Sequence, residues 1–167
     1  GVRKWQKYVG DPVSSSTGNH VQQVEIVHIP GRDGFEMGLT LFYNSLSEDQ
    51  GYFGTGWSSL LDMRLKQYYD KSVMVWFPDG QGQYWQFKGG NYEGWDGVQG
   101  TLEQTRAGWK LTTPDQTVYT FQQVGWQGRL VRVEDRHGNG FNFLYNGEGR
   151  VTALTDDAGR RLILGYD

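Results

Sequence analysis

The end of this chain states one pattern twice. "GRLVRVEDRHGNGFNFLYN" (Gly128–Asn146) is followed, after two residues, by "GRVTALTDDAGRRLILGYD" (Gly149–Asp167). At a shift of 21 residues, Gly128 falls on Gly149, Arg129 on Arg150, Leu130 on Val151, Val133 on Leu154, Asp135 on Asp156 and Gly138 on Gly159. Phe141, Phe143 and Tyr145 fall on Leu162, Leu164 and Tyr166. A unit of this length holds two strands of about six residues, roughly 20 Å each, and two turns, so each unit is expected to be one β-hairpin. Alternation puts Phe141, Phe143 and Tyr145 on one face, with Leu162, Leu164 and Tyr166 in the matching places. Leu130, Val133, Val151 and Leu154 complete the expected repeat core. Asp135 and Asp156, three residues before a glycine, are placed to accept turn amides and are read as turn makers rather than catalytic acids.

A lone hairpin buries too little apolar surface to stand alone, so each unit needs neighbours on both sides. The last unit ends on an open strand edge, which leads to two expectations: that the natural polypeptide continues, and that this edge pairs with another copy in isolation.

The rest of the chain carries the same code at longer spacing. Glycine is abundant (25 residues), as are Trp (7), Tyr (10) and Phe (8), and no segment shows the 3.6-residue period of an amphipathic helix. From Val21 onward, period-two segments alternate with Gly, Asn, Asp and Pro clusters, which predicts an antiparallel meander. In "SLLDMRLKQYYD" Leu61, Met63, Leu65 and Tyr69 are assigned to a buried face, with Asp62, Arg64 and Lys66 opposite. "VMVWF" and "QYWQF" flank "PDGQG" as a hairpin, and "GWKLTTPDQTVYTF" turns at Pro114 and Asp115. The expected fold class is all-β, an antiparallel β-hairpin meander forming a curved sheet.

Several function classes find no support. The formal net charge is -3 with both signs scattered, so no basic stripe points to nucleic acid. Cysteine is absent, which removes disulfides and thiolate metal sites, and no apolar run approaches the roughly 20 residues of a membrane helix. His20, His28 and His137 stand far apart, and "DDAG" (Asp156–Gly159) lacks the spaced carboxylates of a calcium loop. "GYFGTG" (Gly51–Gly56) resembles a phosphate loop but is followed by neither Lys nor a helix, so its glycines are read as a bend where Trp57 turns inward. No serine sits in a nucleophile elbow. Neither catalytic residues nor cofactors are expected.

One aromatic segment supports a binding reading. "WQFKGGNYEGWDG" (Trp85–Gly97) places Trp85, Tyr92 and Trp95 among glycines and polar side chains, the composition of a surface that stacks sugar rings while Asn91, Glu93 or Asp96 takes the hydroxyls. The competing assignment makes these aromatics ordinary hairpin core. Asp11 and Pro12 admit either a processing point or an ordinary turn.

The closing pattern, G-R-[LV]-x-x-[VL]-x-D-x-x-G-x-x-[FL]-x-[FL]-x-Y-[ND], resembles the Rhs/YD-repeat family. The segments "GDPVSSSTGN" (Gly10–Asn19), "HIPGRDGFEMGLTLFYNS" (His28–Ser45) and "GYFGTGWSSLLDMRL" (Gly51–Leu65) are similar to the domain that precedes its repeats. "LFYNS" departs from that pattern in lacking an Arg before the aromatic pair. The resemblance implies the N-terminal part of an Rhs β-shell with its first YD repeats. In that family a large sheet coils around cargo, commonly the C-terminal toxin domain of bacterial polymorphic toxins, insecticidal toxin complexes or type VI secretion effectors, and animal teneurins use a similar shell in adhesion. The implied organisation is a lead-in segment (1–20), a pre-repeat β domain (21–127) and two YD repeats (128–167). The implied role is structural and non-enzymatic: encapsulation and delivery of a toxin or effector domain in interbacterial competition. The implied partners are the remainder of the shell and the enclosed domain, and the implied location is outside the producing cell, through a bacterial secretion system or at the cell surface. The alternative is a carbohydrate-binding or adhesion module that uses its exposed aromatics.

Overall fold

The computed structural model describes residues 21–30 and 36–166. The motif at Gly10–Asn19, Asp11 with Pro12, His20 and the final Asp167 lie outside them. Among the described residues all regular structure is strand, apart from one 3-10 turn at Leu60–Asp62. The chain divides after Met63 into two compact units, with Trp76–Gln81 joining the first.

In the first unit β1 (Val21–Pro30) pairs antiparallel with β2 (Glu36–Asn44), the register slipping between Glu25 and Val27. The short β3 (Gln50–Gly51) and β4 (Gly54–Thr55) form a two-stranded ribbon, and β5 (Trp57–Ser58) pairs with β2. The glycines of "GYFGTG" serve this geometry. Gly54 and Gly56 have φ of 105° and 80°. A Cβ on Gly51 would sit 2.6 Å from the Trp57 carbonyl and 2.7 Å from Asp62 Oδ1. Trp57 is half-buried, its ring 4.9 Å from that of Tyr43. A capping box closes the 3-10 turn: Ser59 Oγ accepts from the Leu61 amide, and Asp62 Oδ2 accepts from the Ser59 amide.

The second unit begins with β6 (Arg64–Gln67), β7 (Val73–Trp76), β8 (Gly82–Lys88) and β9 (Asn91–Gly94). It continues with β10 (Thr101–Gln104), β11 (Gly108–Thr112), β12 (Val118–Val124) and β13 (Gln127–Glu134). Last come β14 (Gly140–Tyr145), β15 (Val151–Asp156) and β16 (Arg161–Ile163). The spatial order is β10-β11-β12-β13-β6-β7-β8-β9, with β14, β15 and β16 branching from β13. The branch is made by one edge of β13. Gln127, Gly128 and Arg129 pair with Lys66, Leu65 and Arg64 of β6, whereas Arg132, Val133 and Glu134 pair with Asn142, Phe141 and Gly140 of β14. The other edge of β13 runs along β12 throughout. At the far ends of the path β9 and β10 lie against each other, and the Trp109 indole of β11 donates to the Tyr92 hydroxyl of β9 at 3.1 Å.

Leu65, Val73, Val75, Trp85, Trp109, Leu111, Phe121, Leu130, Val151 and Leu154 are fully buried and fill this unit. Gly128 is part of the same packing: a Cβ there would meet Leu65 Cβ and the Trp109 ring, each at 3.1 Å. Leu61, Met63 and Leu65 are each buried as the alternation predicts, although Leu61 lies in the 3-10 turn and Met63 caps it, so that only Leu65 of the three is on a strand. Tyr69 corrects that assignment. The strand stops at Gln67, Tyr69 lies in the following turn, and its side chain is 95% exposed.

One turn geometry sets the register of six hairpins. In each of 68–72, 77–81, 113–117, 135–139, 146–150 and 156–160 the first amide donates to the fifth carbonyl and the fourth amide to the first carbonyl, at 2.8–3.1 Å. The fourth residue has positive φ, as in a type I turn closed by a left-handed residue. Upstream, an aspartate at the third position (Asp70, Asp79, Asp115) accepts the fifth amide. In the repeats the first position does this work: Asp135, Asn146 and Asp156 each accept from the third and fifth amides. Glycine fills the left-handed position four times, but Lys71 and Gln116 occupy it with φ of 70° and 64°. A side chain costs about 1 kcal/mol or more there. Gln116→Gly is therefore expected to raise stability by roughly 0.5 kcal/mol, the strain relieved being partly offset by unfolded-chain entropy, and Gly138→Ala to lower it by about 1 kcal/mol. Denaturant midpoints of the two variants check both signs.

Candidate interaction surface

Two features can do molecular work: the contacts that lock one repeat to the next, and an aromatic surface at one end of the second unit.

The repeat signature has a physical content. The Tyr145 hydroxyl donates to the Leu130 carbonyl at 2.6 Å, and its counterpart Tyr166 donates to the Val151 carbonyl, the residue 21 positions on from Leu130. The Arg129 guanidinium lies 4.7 Å above the Tyr145 ring, and Arg150 lies 5.4 Å above Tyr166. The Gly-Arg opening and the Tyr ending of each unit therefore hold each other. Phe143 pairs with Leu154 and Leu154 with Leu162, one row across three strands, so the apolar residues of both units share a face. Leu130, Val133, Phe141, Phe143, Val151 and Leu154 are buried, Tyr145, Leu162 and Leu164 half-buried, and Tyr166 is exposed at the edge.

A second lock has no counterpart in the repeat. Arg132 reaches the turn after β15 and donates from Nη1 and Nη2 to the two Asp157 carboxylate oxygens at 3.0 and 3.1 Å. The same guanidinium donates to the Gly138 carbonyl and Asn142 Oδ1, while Asp157 Oδ2 accepts from the Gly140 amide at 3.0 Å. Paired this way, Asp157 titrates below the ordinary aspartate range, chiefly because of the Arg132 hydrogen bonds, and Arg132 is pushed up by the same pair.

The aromatic segment Trp85–Gly97 is divided by the pleat. Trp85 is fully buried opposite Gly94, and its indole N–H has no hydrogen-bond partner among the described residues. Tyr92 is half-buried, donates to the Lys71 carbonyl at 2.9 Å and accepts from Trp109. Burial raises its phenol pKa, opposed by the Trp109 hydrogen bond and assisted by the Asp70 charge. Only Trp95 of the three stands out to solvent, 58% exposed. It joins a different set: Tyr84, which alternates away from Trp85 along β8, approaches Trp95 at 6.3 Å and Tyr68 at 6.3 Å, and Tyr69 lies 5.3 Å from Trp126. A cleft of about 690 Å³ is lined by Lys66, Gln67, Tyr68, Tyr69, Asp70, Tyr84 and Trp126.

His28 is paired with Glu25 at 3.1 Å and His137 accepts from Arg136 Nε at 3.2 Å. Among the described residues no group of three or more His, Asp or Glu is placed to hold a metal, and no helix is long and apolar enough to cross a membrane.

The Arg132–Asp157 lock carries a pH dependence. Because the folded pKa of Asp157 is depressed, its contribution is present above roughly pH 4 and is lost as pH falls through the lower folded value. Both side chains are partly solvent-exposed, so the whole effect is about 1 kcal/mol or less. Asp157→Asn should unfold at lower urea than wild type at neutral pH, with the two midpoints converging as the pH falls below the depressed folded value.

Residues 10–87 match the model of a family described as a domain of unknown function, DUF6531. The chain is 33% identical over 150 residues to the tRNA nuclease WapA of Bacillus subtilis (strain 168), covering 84% of this chain and 6% of that protein. It is 26% identical over 171 residues to the double-stranded DNA deaminase toxin A of Burkholderia cenocepacia (strain H111), covering 95% of this chain and 12% of the relative. The chain thus spans a small fraction of the length of the curated relatives it matches.

Proposed function

We propose that this chain is a non-catalytic structural module of a larger toxin-bearing polypeptide: the part of an Rhs/YD-type β-shell where the pre-repeat domain meets the first YD units. The observation that carries this reading is what the relatives share. A nuclease that acts on tRNA and a deaminase that acts on double-stranded DNA have different chemistries, yet both contain a segment similar to this one. A segment common to different chemistries supplies something independent of either. The side chains agree, because the recurring contacts, Arg on Tyr and Tyr on carbonyl, are spent on strand packing.

In this reading further YD units extend the sheet from the outer edge of β16, and the wall so formed encloses a toxin or effector domain until its release. Such a protein acts outside the cell that makes it, delivered by a secretion system or displayed on the surface, in competition between bacteria. Enclosure is tested on the complete polypeptide by limited proteolysis, followed by antibody to its C-terminal domain. That domain is expected to survive protease concentrations that digest it when it is expressed alone. Val151→Asp, which buries a charge in the repeat core, should abolish the protection. Equal digestion of the domain alone and within the wild-type polypeptide would refute enclosure.

A further inference from the structure

Trp126 and Tyr69 are large aromatic side chains held in turns and largely exposed to solvent, with each other as their ring contact. β12 and β13 are joined by the two-residue turn Gly125-Trp126, in which Gly125 supplies φ of 63°. Such turns favour small residues with polar or no side chains, whereas here a tryptophan stands 57% exposed. Tyr69 sits at the tip of the turn after β6. Strand pairing of β13 with β6 brings these two tips together, and the Gln67 amide donates to the Trp126 carbonyl at 2.7 Å. Together with Tyr68 and the half-buried Tyr84 they line one cleft, and Trp95 lies against Tyr84 beside it. Apolar exposure concentrated this way marks a binding surface.

From this geometry we infer a binding site for a neutral oligosaccharide, with Trp126 and Tyr69 as its stacking platform. The cleft volume is within the usual range of about 300–1,000 Å³ for ligand sites. The ring planes of the two lining pairs meet at 56° and 58° and so form walls rather than one flat face, which suits a narrow chain more than a broad protein surface. The charged residues of the lining are one cation, Lys66, and one anion, Asp70, so the cleft carries no net charge to attract a polyanion. Lys66 offers donors and Asp70 an acceptor, a combination that suits hydroxyls, which both accept and donate, better than a proline-rich peptide, whose backbone offers mainly carbonyl acceptors. Sugar C–H faces stack on the rings while their hydroxyls meet this polar rim. The inference does not depend on enclosure, since the site would serve a shell or a free-standing adhesion module.

The test titrates the folded chain with neutral hexasaccharides of glucose, xylose and N-acetylglucosamine, following tryptophan fluorescence. A proline-rich decapeptide and dextran sulfate serve as competing probes, with sedimentation at the same protein concentrations. The expected result is saturable binding of at least one neutral hexasaccharide. Trp126→Ala and Tyr69→Ala should each weaken it by about ten-fold or more, and Trp126→Tyr should retain most of it. Circular dichroism should show all three variants folded. Four results would overturn the site: no saturable binding of any neutral saccharide, preference for the peptide or the polyanion, affinity unchanged in both alanine variants, or a Trp126-dependent dimer that occupies the cleft instead.

Discussion

Everything in the second unit depends on the backbone of β13, which has to satisfy three neighbours. One edge belongs to β12. The opposite edge is shared, its first residues with β6 and its last with β14. Because an unpaired buried backbone group costs on the order of a lost hydrogen bond, the division requires strands of limited length on that edge. β6 is four residues long and β14 six. The first repeat is therefore built into the preceding sheet by hydrogen bonds, not appended to it. Gly128 is the point of closest approach, where the absence of a side chain admits both Leu65 and the Trp109 ring. Its counterpart Gly149 meets no such neighbours and instead supplies the left-handed residue of a turn. The same letter in the repeat thus serves packing in the first unit and backbone conformation in the second.

Much of this was legible in the sequence because strand parity and turn chemistry are local. The paired segments around Asp79 and around Pro114 and Asp115 gave hairpins, and Asp135 and Asp156 gave the turns of the repeats. What alternation could not supply was where a strand stops. Tyr69 continues the parity of Leu61, Met63 and Leu65, yet Tyr68–Ser72 closes a turn, and the phenol points to solvent. The Arg132–Asp157 lock was also invisible, since it joins residues 25 apart with no equivalent one repeat away.

The aromatic surface was half legible. Composition points to Trp85, Tyr92 and Trp95 together, but the pleat separates them, with Trp85 fully buried and Trp95 exposed. The residues that gather around the cleft come from three separate stretches, Lys66–Asp70, Tyr84 and Trp126, and only the order of strands brings them together. A local signal did exist: a Gly-Trp pair at the centre of a two-residue turn spends a large apolar side chain where the backbone asks for none.

A sheet whose repeats hold their own strands by an arginine, a tyrosine and one turn geometry can be lengthened without redesign, which is what the proposed shell requires. The most direct measurement is the structure of the complete polypeptide by electron cryomicroscopy. The account predicts that the outer edge of β16 pairs with a strand of a further YD unit, and that the continued sheet surrounds density for a separate domain. An outer edge of β16 without a paired strand, or a toxin domain packed wholly outside the sheet, would contradict it.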